Sequence, residues 1–478
     1  MASSRFIGRQ AELSRLNSLL GKKSSSLIVV RGRRRIGKSR LLEQFGKEMP
    51  SYFFSGLPPS KKTTAKSQRV EFANQLARTG VPGVASDDWG NLFWHLSQHT
   101  QKGRVLIVLD EISWMGGKDP LFLGKLKNAW DMYFSKNPHL ILVLCGSISS
   151  WIEKNILSDT GFVGRVTIDL VLEELPLSVC NAFWHPKESL IAAHEKFKLL
   201  AIMGGVPLYL EQIRPDMIAE KNIFDICFTR GGLLVREFDQ LFSDLFSKRS
   251  STYKEIVYCL ANEPKELTEI CLELGQSQGG VRSKYLNDLV KAGFVQRDFT
   301  WHLENGKEAK DSRYRLSDNY LRFYLKYIEH HQNKIEKGKF SPSMFTTFSN
   351  WDSIMGLQFE NLVIHNRAAL LVLLGIAPEE VIMDGPFYQS HTKRQSGCQI
   401  DYMIQHRFNN LYLIEIKFSK NKIGPQIIEE MEEKRKRLKV PRNFSMRPVL
   451  IHVNGVEERV LESGYFDKII DFGQFLSG

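Results

Sequence analysis

The stretch RGRRRIGKSR, residues 31–40, has the residue types and spacing of a phosphate-binding loop. Gly32, Gly37, Lys38 and Ser39 fit the P-loop pattern G-x-x-x-x-G-K-[S/T]. The two glycines allow backbone N–H groups of the loop to point at an anion, and the N-terminus of a following helix adds partial positive charge. In this pattern the lysine reaches the outer phosphates and the serine hydroxyl holds Mg²⁺. We therefore predict a site for ATP and Mg²⁺.

The segments on either side of this loop have the character that a P-loop requires. The apolar run SLIVV at 26–30 predicts a buried strand, and LLEQFGKEM at 41–49 predicts a helix. Arg40, which follows Ser39, is predicted as a further ATP-binding residue. The alternative is that Arg33–Arg35 form only a basic turn or a localisation-type cluster.

Two acidic residues follow the next strong strand pattern. Val105–Leu109 is a continuous apolar run, typical of a strand covered on both faces, and Asp110 and Glu111 come directly after it. Ligands of parallel α/β sheets bind at the carboxyl ends of the strands. We predict that Asp110 helps to hold Mg²⁺ and that Glu111 polarises the water that attacks the γ-phosphate.

A serine and an arginine further along could complete the same chemistry. Ser147 follows an apolar strand pattern at 140–145, so its side chain could sense the γ-phosphate; alternatively it caps the next helix. Arg165 begins another strand pattern. It could serve a neighbouring subunit as an arginine finger, or it could be a surface salt-bridge partner.

The composition is that of a soluble, basic protein. The chain has 478 residues, a net charge of +12 and a sequence pI of about 9.2, so we expect about three domains and a polyanionic partner. DNA is the favoured partner and RNA is not excluded, although a basic surplus can also be only a solvated surface. The six cysteines include no C-x-x-C pair, and no apolar run is long enough for a signal or membrane segment. We therefore expect a cytoplasmic protein with no membrane partner and no disulfides.

Several of these motifs occur together in an order that resembles the archaeal-type ATPases of the AAA+/STAND-like P-loop class. The resemblance covers about residues 1–245. It implies an α/β protein with a five-stranded parallel core, a central P-loop strand and a small helical lid, and it implies a homo-oligomer. It adds Gly8 and Arg9 to the ATP-binding residues; the sequence lacks the lid arginine of a standard AAA+ protein. The matching segments are Gly8–Arg9, the P-loop, LIVLDE (106–111), LVLCGS (142–147), Gly164–Arg165 and MGGVPLYLE (203–211).

Residues 250–318 have the pattern of a winged helix. Helical patterns at 251–261, 266–275 and 279–295 precede two short strands around a polar turn at 304–306. The third helix of a winged helix usually enters the DNA major groove. The same fold also serves as a protein–protein module, so DNA contact is one of two options. The candidate DNA-binding residues on the third helix are Arg282, Lys284 and Lys291.

The last third of the chain carries a second set of residues that could do chemistry. Strand patterns at 398–405 and 410–419 contain Asp401 and the alternating pair Glu415 and Lys417. If the two strands form a hairpin, two carboxylates and a lysine share one face of a sheet, as in a divalent-metal site for phosphodiester hydrolysis. Glu360, on a predicted helix at 354–366, faces the same way as its apolar neighbours and needs a metal or a basic partner. Gln426 opens the next helix and could position a water.

These residues, in this order, resemble the PD-(D/E)xK nuclease superfamily over about residues 345–478. The resemblance implies that Glu360, Asp401 and Glu415 bind Mg²⁺ or Mn²⁺ and that Lys417 orients or deprotonates the attacking water. The alternative is an exposed charged strand on a structural domain.

The sequence thus predicts an α/β P-loop ATPase core at 1–180, a helical lid at 181–248 and a winged helix at 249–320. A helical linker at 321–344 and a nuclease-like α/β domain at 345–478 follow. We expect ATP-controlled binding and cleavage of DNA. The competing hypotheses are a nucleotide-gated regulatory or assembly switch that cuts nothing, and a motor that remodels another macromolecule.

Overall fold

The computed structural model describes residues 6–60, 62–81, 86–147, 149–246, 250–275, 280–393 and 395–476. They form two compact units. One contains the chain up to Glu173 together with Asp239–Ser250, and the other contains Glu174–Phe238 and the chain from Ser251 onward.

The first unit is built on a five-stranded parallel sheet of order β2-β3-β4-β1-β5. The P-loop strand β1 is therefore an interior strand, but the middle position that we predicted for it belongs to β4. Strands β3 and β4 are buried over almost their whole length, as expected for strands covered on both faces. The strands are β1 (Ser26–Gly32), β2 (Ser51–Ser55), β3 (Val105–Asp110), β4 (Leu140–Gly146) and β5 (Val166–Leu172).

The helices of this unit cover the sheet and place the P-loop. The predicted helix after the loop begins at Lys38, and its α-helical part ends at Phe45, earlier than predicted. A cluster of aromatic side chains that includes Phe72, Trp89 and Phe122 fills one part of the core. The helices are α1 (Gln10–Asn17), α2 (Lys38–Phe45), α3 (Ala65–Arg78), α4 (Trp89–Gln98), α5 (Ile112–Gly116), α6 (Phe122–Met132) and α7 (Ser149–Ile152).

The second unit begins with helices that share their core with residues from the far end of the chain. The ring of Phe197 packs against the rings of Phe359 and Phe472. The ammonium group of Lys196 is buried and donates to the carbonyl of Leu476, 280 positions away. The helices are α8 (Leu177–Cys180), α9 (Ala193–Met203), α10 (Pro207–Leu210), α11 (Ala219–Cys227) and α12 (Glu237–Phe246), the last of which enters the first unit at Asp239.

Three helices and a β-hairpin follow, in the order that the winged-helix pattern predicts. The two strands are longer than expected, with eight and ten residues. The hairpin packs against the C-terminal sheet, because Trp301 Nε1 donates to Gln405 Oε1 at 2.7 Å and Thr300 Oγ1 donates to Tyr388 O at 2.9 Å. The elements are α13 (Ser250–Cys259), α14 (Leu267–Glu273), α15 (Gly280–Lys291), β6 (Val295–His302) and β7 (Lys307–Leu316).

The segment predicted as a helical linker at 321–344 is not one continuous α-helix. The segment contains α16 (Asn319–Phe323) and α17 (Gln332–Glu336), separated by a π-helical turn at Tyr324–Ile328 and a 3₁₀ turn at Glu329–His331. Residues 319–325, 327 and 328 are buried or almost buried, so the first part of this segment is a core element and not a solvated linker.

The C-terminal sheet is mixed and has the order β12-β11-β10-β9-β8. Strands β8, β9 and β10 are antiparallel neighbours, and β10, β11 and β12 run parallel. The predicted α/β class is therefore confirmed, with a parallel sheet in one unit and a separate mixed sheet in the other. The elements are α18 (Trp351–His365), α19 (Arg367–Leu374), β8 (Val381–Gln389), β9 (Cys398–His406), β10 (Asn410–Ile416), α20 (Gln426–Arg437), β11 (Ser445–His452), α21 (Glu458–Glu462) and β12 (Lys468–Asp471).

Two expectations drawn from composition can be compared with the structure. All six cysteines are buried and free of disulfide bonds. Among the described residues, none of the helices has the length and apolar character needed to cross a bilayer.

Candidate active sites

The P-loop connects the carboxyl end of β1 to the first turn of α2. Gly32 has φ +149°, and a Cβ at this position would lie 2.5 Å from the carbonyl oxygen of Leu172 on the neighbouring strand. Gly37 precedes α2 with φ 93° and ψ 24°, a left-handed conformation that glycine adopts at little cost. The two glycines of the motif are thus explained by a close approach and by a tight turn.

The side chain of Lys38 folds back onto the P-loop. Its Nζ donates to the carbonyl oxygens of Gly32 at 2.8 Å and Arg33 at 3.1 Å, and the side chain is buried. The ammonium group is therefore held by uncharged acceptors.

Ser39 and Asp110 come together from different elements. Ser39 Oγ donates to Asp110 Oδ2 at 2.7 Å, and the other oxygen of Asp110 accepts from the backbone N–H of Glu111 at 2.9 Å. A hydroxyl and a carboxylate are the hard oxygen ligands that Mg²⁺ prefers. The two residues therefore fit the magnesium ion that accompanies ATP in P-loop proteins.

Glu111 is fixed next to this pair by Ser147, from the end of the adjacent strand β4. The hydroxyl of Ser147 donates to both carboxylate oxygens of Glu111 at 3.1 and 2.9 Å, and its N–H donates at 3.3 Å. Glu111 itself has φ 50° and ψ 47°, which is uncommon for a residue other than glycine. Burial raises the pKa of the Glu111 carboxyl, with Lys38 opposing the rise and Asp110 adding to it. A carboxylate with a raised pKa is a stronger general base.

Arg9 connects the loop to the end of β5. Its Nη2 donates to Ile36 O at 3.0 Å and to Glu173 O at 2.6 Å, and its Nη1 pairs with Glu12 at 2.9 Å. The structure thus places Arg9 against the P-loop, with its guanidinium held by protein groups. Gly8 precedes it with φ 76°. Arg40 lies half-buried in the first turn of α2, and its predicted contact with ATP stays a prediction.

Arg165 is not near the P-loop of its own chain. It precedes β5, at the amino edge of the parallel sheet, whereas the P-loop follows the carboxyl end of β1. Its guanidinium binds Asp131 with two hydrogen bonds of 2.8 and 2.9 Å, and Arg165 and Lys127 lower the pKa of Asp131 to about 2. A role as an arginine finger would require Arg165 to leave this pair and reach another subunit, so it stays a prediction.

The candidate DNA-binding residues all belong to α15. Lys284 is exposed and Lys291 is partly buried, while the side chain of Arg282 lies outside the described residues. The hairpin that follows is covered by the C-terminal sheet through Trp301 and Thr300. Other residues of the hairpin, among them Arg297, Lys307 and Lys310, are exposed, so both the helix and part of the hairpin are accessible.

Asp401 and Glu415 lie side by side in the C-terminal sheet, as the hairpin hypothesis requires. Strands β9 and β10 pair in antiparallel register, with Tyr402 opposite Ile414, so Asp401 and Glu415 are the next pair along the ladder. Lys417 follows the strand, and its Nζ lies 3.0 Å from Glu415 Oε1 and 3.0 Å from Glu430 Oε2. The structure thus brings together the two carboxylates and the lysine that the sequence singled out.

Lys434 on α20 is the residue that the sequence analysis missed. Its Nζ lies 3.3 Å from Asp401 Oδ1 and 2.5 Å from Glu415 Oε2, so it bridges the two carboxylates. The available signal was helical spacing, because Gln426, Glu430 and Lys434 recur every fourth residue and share one face of the helix. Without the packing of α20 on the sheet, this face could not be distinguished from a solvated one.

Glu360 lies close to the carboxylates of Asp401 and Glu415, whereas Gln426 does not contact them. The carboxyl of Glu360 is largely buried, and its pKa is raised by burial first and then by Asp401, which lies close enough to repel it. Burial and Glu415 likewise raise the pKa of Asp401. The side chain of Gln426 is exposed at the start of α20, and no contact joins it to the carboxylates.

The acidic residues of the C-terminal sheet offer few ligands to a divalent metal ion. Within the described part of the chain, no three Asp, Glu, His or Cys side chains converge as a ready metal site. Mg²⁺ commonly binds one or two protein carboxylates and completes its octahedron with waters and substrate phosphates. The Asp401–Glu415 pair fits that smaller requirement, with Glu360 as a neighbouring acid.

Comparison with known proteins finds similarity to the N-terminal part of the chain. Residues 6–213 match the family model described as an ATPase domain predominantly from Archaea. An uncharacterized protein of Methanocaldococcus jannaschii is 25% identical over 363 residues, which cover 75% of this chain and 76% of the relative. The Walker-type ATPase PABY2304 of Pyrococcus abyssi matches with a TM-score of 0.50 and 17% identity, over 67% of this chain and 96% of that protein. The last match shows a shared fold. The family model shows that residues 6–213 are similar to the ATPase domain found predominantly in Archaea.

Proposed function

We propose that this ATPase domain hydrolyses ATP at the P-loop and that its nucleotide state controls a C-terminal half that binds and cleaves DNA. The observation that carries the first part is the pairing of two carboxylates with two hydroxyls, Asp110 with Ser39 and Glu111 with Ser147. In each pair a serine from another element donates to an acid at the end of β3. Ser39 comes from the first turn of α2, and Ser147 follows β4.

Each of these residues has a separate role in the proposed hydrolysis. The N–H groups of the loop and the ammonium of Lys38 bind and orient the phosphates. Ser39 and Asp110 would hold Mg²⁺, which supplies positive charge to the phosphate oxygens. Glu111 orients the attacking water and accepts its proton, and its raised pKa favours that role. Ser147 keeps the carboxylate of Glu111 in place until the γ-phosphate offers its hydroxyl another acceptor.

The ATPase part is tested by measuring phosphate release from Mg²⁺-ATP. Asp110→Asn should reduce the turnover strongly, because a charged oxygen ligand for Mg²⁺ is replaced by a neutral amide. Glu43→Gln is the matched control, since Glu43 is exposed on α2 and lies outside this cluster. Turnover in Asp110→Asn that equals that of wild type would contradict the proposed magnesium site.

The second candidate activity is metal-dependent cleavage of DNA by the C-terminal sheet. What supports it is that Asp401 and Glu415 are neighbours across β9 and β10 and that Lys417 Nζ lies 3.0 Å from Glu415 Oε1. Asp401 and Glu415 would hold Mg²⁺ or Mn²⁺, which lowers the pKa of a bound water. Lys417 would orient that water toward the phosphodiester. The positive net charge and the exposed Lys284 support DNA as the polyanion, and RNA is a second substrate class to test.

The nuclease part is tested on single-stranded, duplex and branched DNA with Mg²⁺ or Mn²⁺, with and without ATP. Cleavage should disappear in Asp401→Ala and in Lys417→Ala. Lys436→Ala is the control, because Lys436 is exposed on the same helix as Lys434 and pairs with Glu432 at 3.9 Å. Absence of cleavage by wild type on every substrate, with ATP turnover intact, would favour the nucleotide-gated switch.

Measuring the oligomeric state tests the third hypothesis, that the protein is a motor that remodels another macromolecule. If the protein forms a ring and DNA stimulates its ATP turnover, a motor role gains support. In that case Arg165→Ala should reduce turnover only at protein concentrations where subunits associate.

A further inference from the structure

The four carboxylate oxygens of the acidic pair are all occupied by donors of the protein itself. Asp401 Oδ2 accepts from the N–H of Ile416 at 2.9 Å, and its Oδ1 receives Lys434 at 3.3 Å. Glu415 Oε1 receives Lys417 at 3.0 Å, and its Oε2 receives Lys434 at 2.5 Å. A metal ion that bridges the two carboxylates must therefore replace at least one of these partners.

Lys434 is the partner that a metal ion can replace most easily. The N–H of Ile416 is fixed by the backbone of the sheet, and Lys417 bonds only one of the two carboxylates. Among the residues that the structure describes, Lys434 is the one group that contacts both carboxylates, which is the position of a bridging cation. Its side chain is 25% exposed, and its flexible four-carbon stem can turn the ammonium toward water.

The acidic pair needs a cation whether or not metal is present. Glu415 is 1% exposed, and two adjacent buried carboxylates repel each other. Lys434 reduces this repulsion because its ammonium lies between them. The same charge, when a divalent cation approaches, opposes the binding of that cation.

We propose that Lys434 is a built-in counter-ion of the Asp401–Glu415 pair and that a divalent metal ion must displace its ammonium group to bind there. The inference rests on the proposed metal site, and it adds a residue outside the five that suggested that site. It makes Lys434 a positioning residue that stabilises the metal-free protein and weakens metal affinity. A phosphate of the DNA backbone is a natural acceptor for the displaced ammonium, so substrate and metal should bind cooperatively.

The test is a titration of the full-length protein with Mn²⁺ in the absence of nucleotide. Isothermal calorimetry measures the affinity, and thermal unfolding with and without Mn²⁺ measures the melting temperature. Lys434→Met removes the charge, and Lys434→Gln is a second neutral variant that can still donate to the carboxylates. Lys436→Met is the matched control, because Lys436 is 73% exposed on the same helix. Asp401→Asn defines the part of the signal that comes from this site.

We expect Lys434→Met and Lys434→Gln to bind Mn²⁺ at least about tenfold more tightly than wild type, since a unit charge about 4 Å away is removed. Without metal they should melt below wild type, and Mn²⁺ should raise their melting temperature more than it raises that of wild type. Lys436→Met should behave as wild type in both measurements.

Two other outcomes would overturn the inference. The first leaves the proposed metal site intact, and the second overturns that site as well. If wild type binds Mn²⁺ in a manner that depends on Asp401, and Lys434→Met binds it no more tightly, Lys434 is not a competitor and the metal site stands. If neither wild type nor either Lys434 variant binds Mn²⁺ through Asp401, the proposed metal site fails together with the inference.

Discussion

The two candidate sites hold their carboxylates by different means. At the end of β3, Asp110 and Glu111 accept hydrogen bonds from the neutral hydroxyls of Ser39 and Ser147, and the nearby Lys38 bonds carbonyl groups. In the C-terminal sheet, Asp401 and Glu415 are held by ammonium groups. Neutral donors orient a carboxylate and leave its negative charge available, whereas ammonium groups orient it and neutralise it. The first site is thus prepared for a cation, and the second must exchange one cation for another.

Lys38→Ala gives the largest effect expected from this comparison. The variant removes the one ammonium that lies inside the P-loop, so ATP binding should fall below detection in a fluorescence or calorimetric titration. Lys47→Ala, on an exposed turn after α2, should bind ATP as wild type does. Tight ATP binding by Lys38→Ala would contradict the assignment of the loop.

Glu111→Gln should separate binding from chemistry. The amide keeps a hydrogen-bonding side chain next to Ser147 but cannot accept the proton of water, so ATP should bind while turnover falls by about 10²- to 10⁴-fold. Phosphate release and ATP affinity, measured on the same preparation, check this. If turnover survives, Glu111 is not the base and its bond to Ser147 is only structural.

A stability measurement tests the difference between the two sites directly. Glu415→Gln leaves two lysines facing a buried neutral group, and it should lower the free energy of unfolding by about 3 kcal/mol, as for a broken buried ion pair. Asp110→Asn replaces one partner of a neutral hydroxyl and should lower it by about 1 kcal/mol or less. Urea unfolding at neutral pH without metal ions gives both values. Equal losses would show that the partners' charge does not distinguish the sites.

The smallest effect is expected at the exposed pair of Asp131 and Arg165. Because the pKa of Asp131 is lowered from 3.8 to about 2, its ionised form stabilises the folded state above pH 3.8, and this contribution is lost as the pH falls toward 2. Asp131→Asn should therefore melt slightly below wild type at pH 6, and the difference should shrink at pH 3. The effect is small because both side chains are about one third exposed. A difference that grows on acidification would contradict the proposed pairing.

The P-loop region was predictable because its information is local. A glycine pattern, a strand before it and a helix after it are adjacent in the sequence, and acids at strand ends meet at one edge of a parallel sheet. The contact of Arg9 with the carbonyl of Glu173 spans 164 positions and has no comparable local signal. The left-handed backbone conformation of Glu111 could not be predicted from the sequence either, since acidic residues rarely adopt this conformation.

The C-terminal site was predictable only in part, for a related reason. Strand alternation and a short turn determine that Asp401 lies beside Glu415. The bond from Lys434 depends on how α20 packs over the sheet, which the run EEMEEKRKR, residues 429–437, does not specify. The break in the helix after Phe323 likewise follows from burial on several sides, as aromatic residues such as Tyr320 and Tyr324 pack in the core.

The buried bond from Lys196 to Leu476 has a consequence for the synthesis of the chain. At about 5–20 residues per second, roughly 14 to 56 s pass between the emergence of the lysine from the ribosome and that of its acceptor 280 positions later. Helix α9 must wait for Phe359, then Phe472 and finally, over the whole interval, for Leu476, with its apolar side chains exposed or held by a chaperone. The first unit ends at residue 250, so all of its residues are translated before the C-terminal sheet. Translation pauses or chaperone depletion should therefore damage the second unit first.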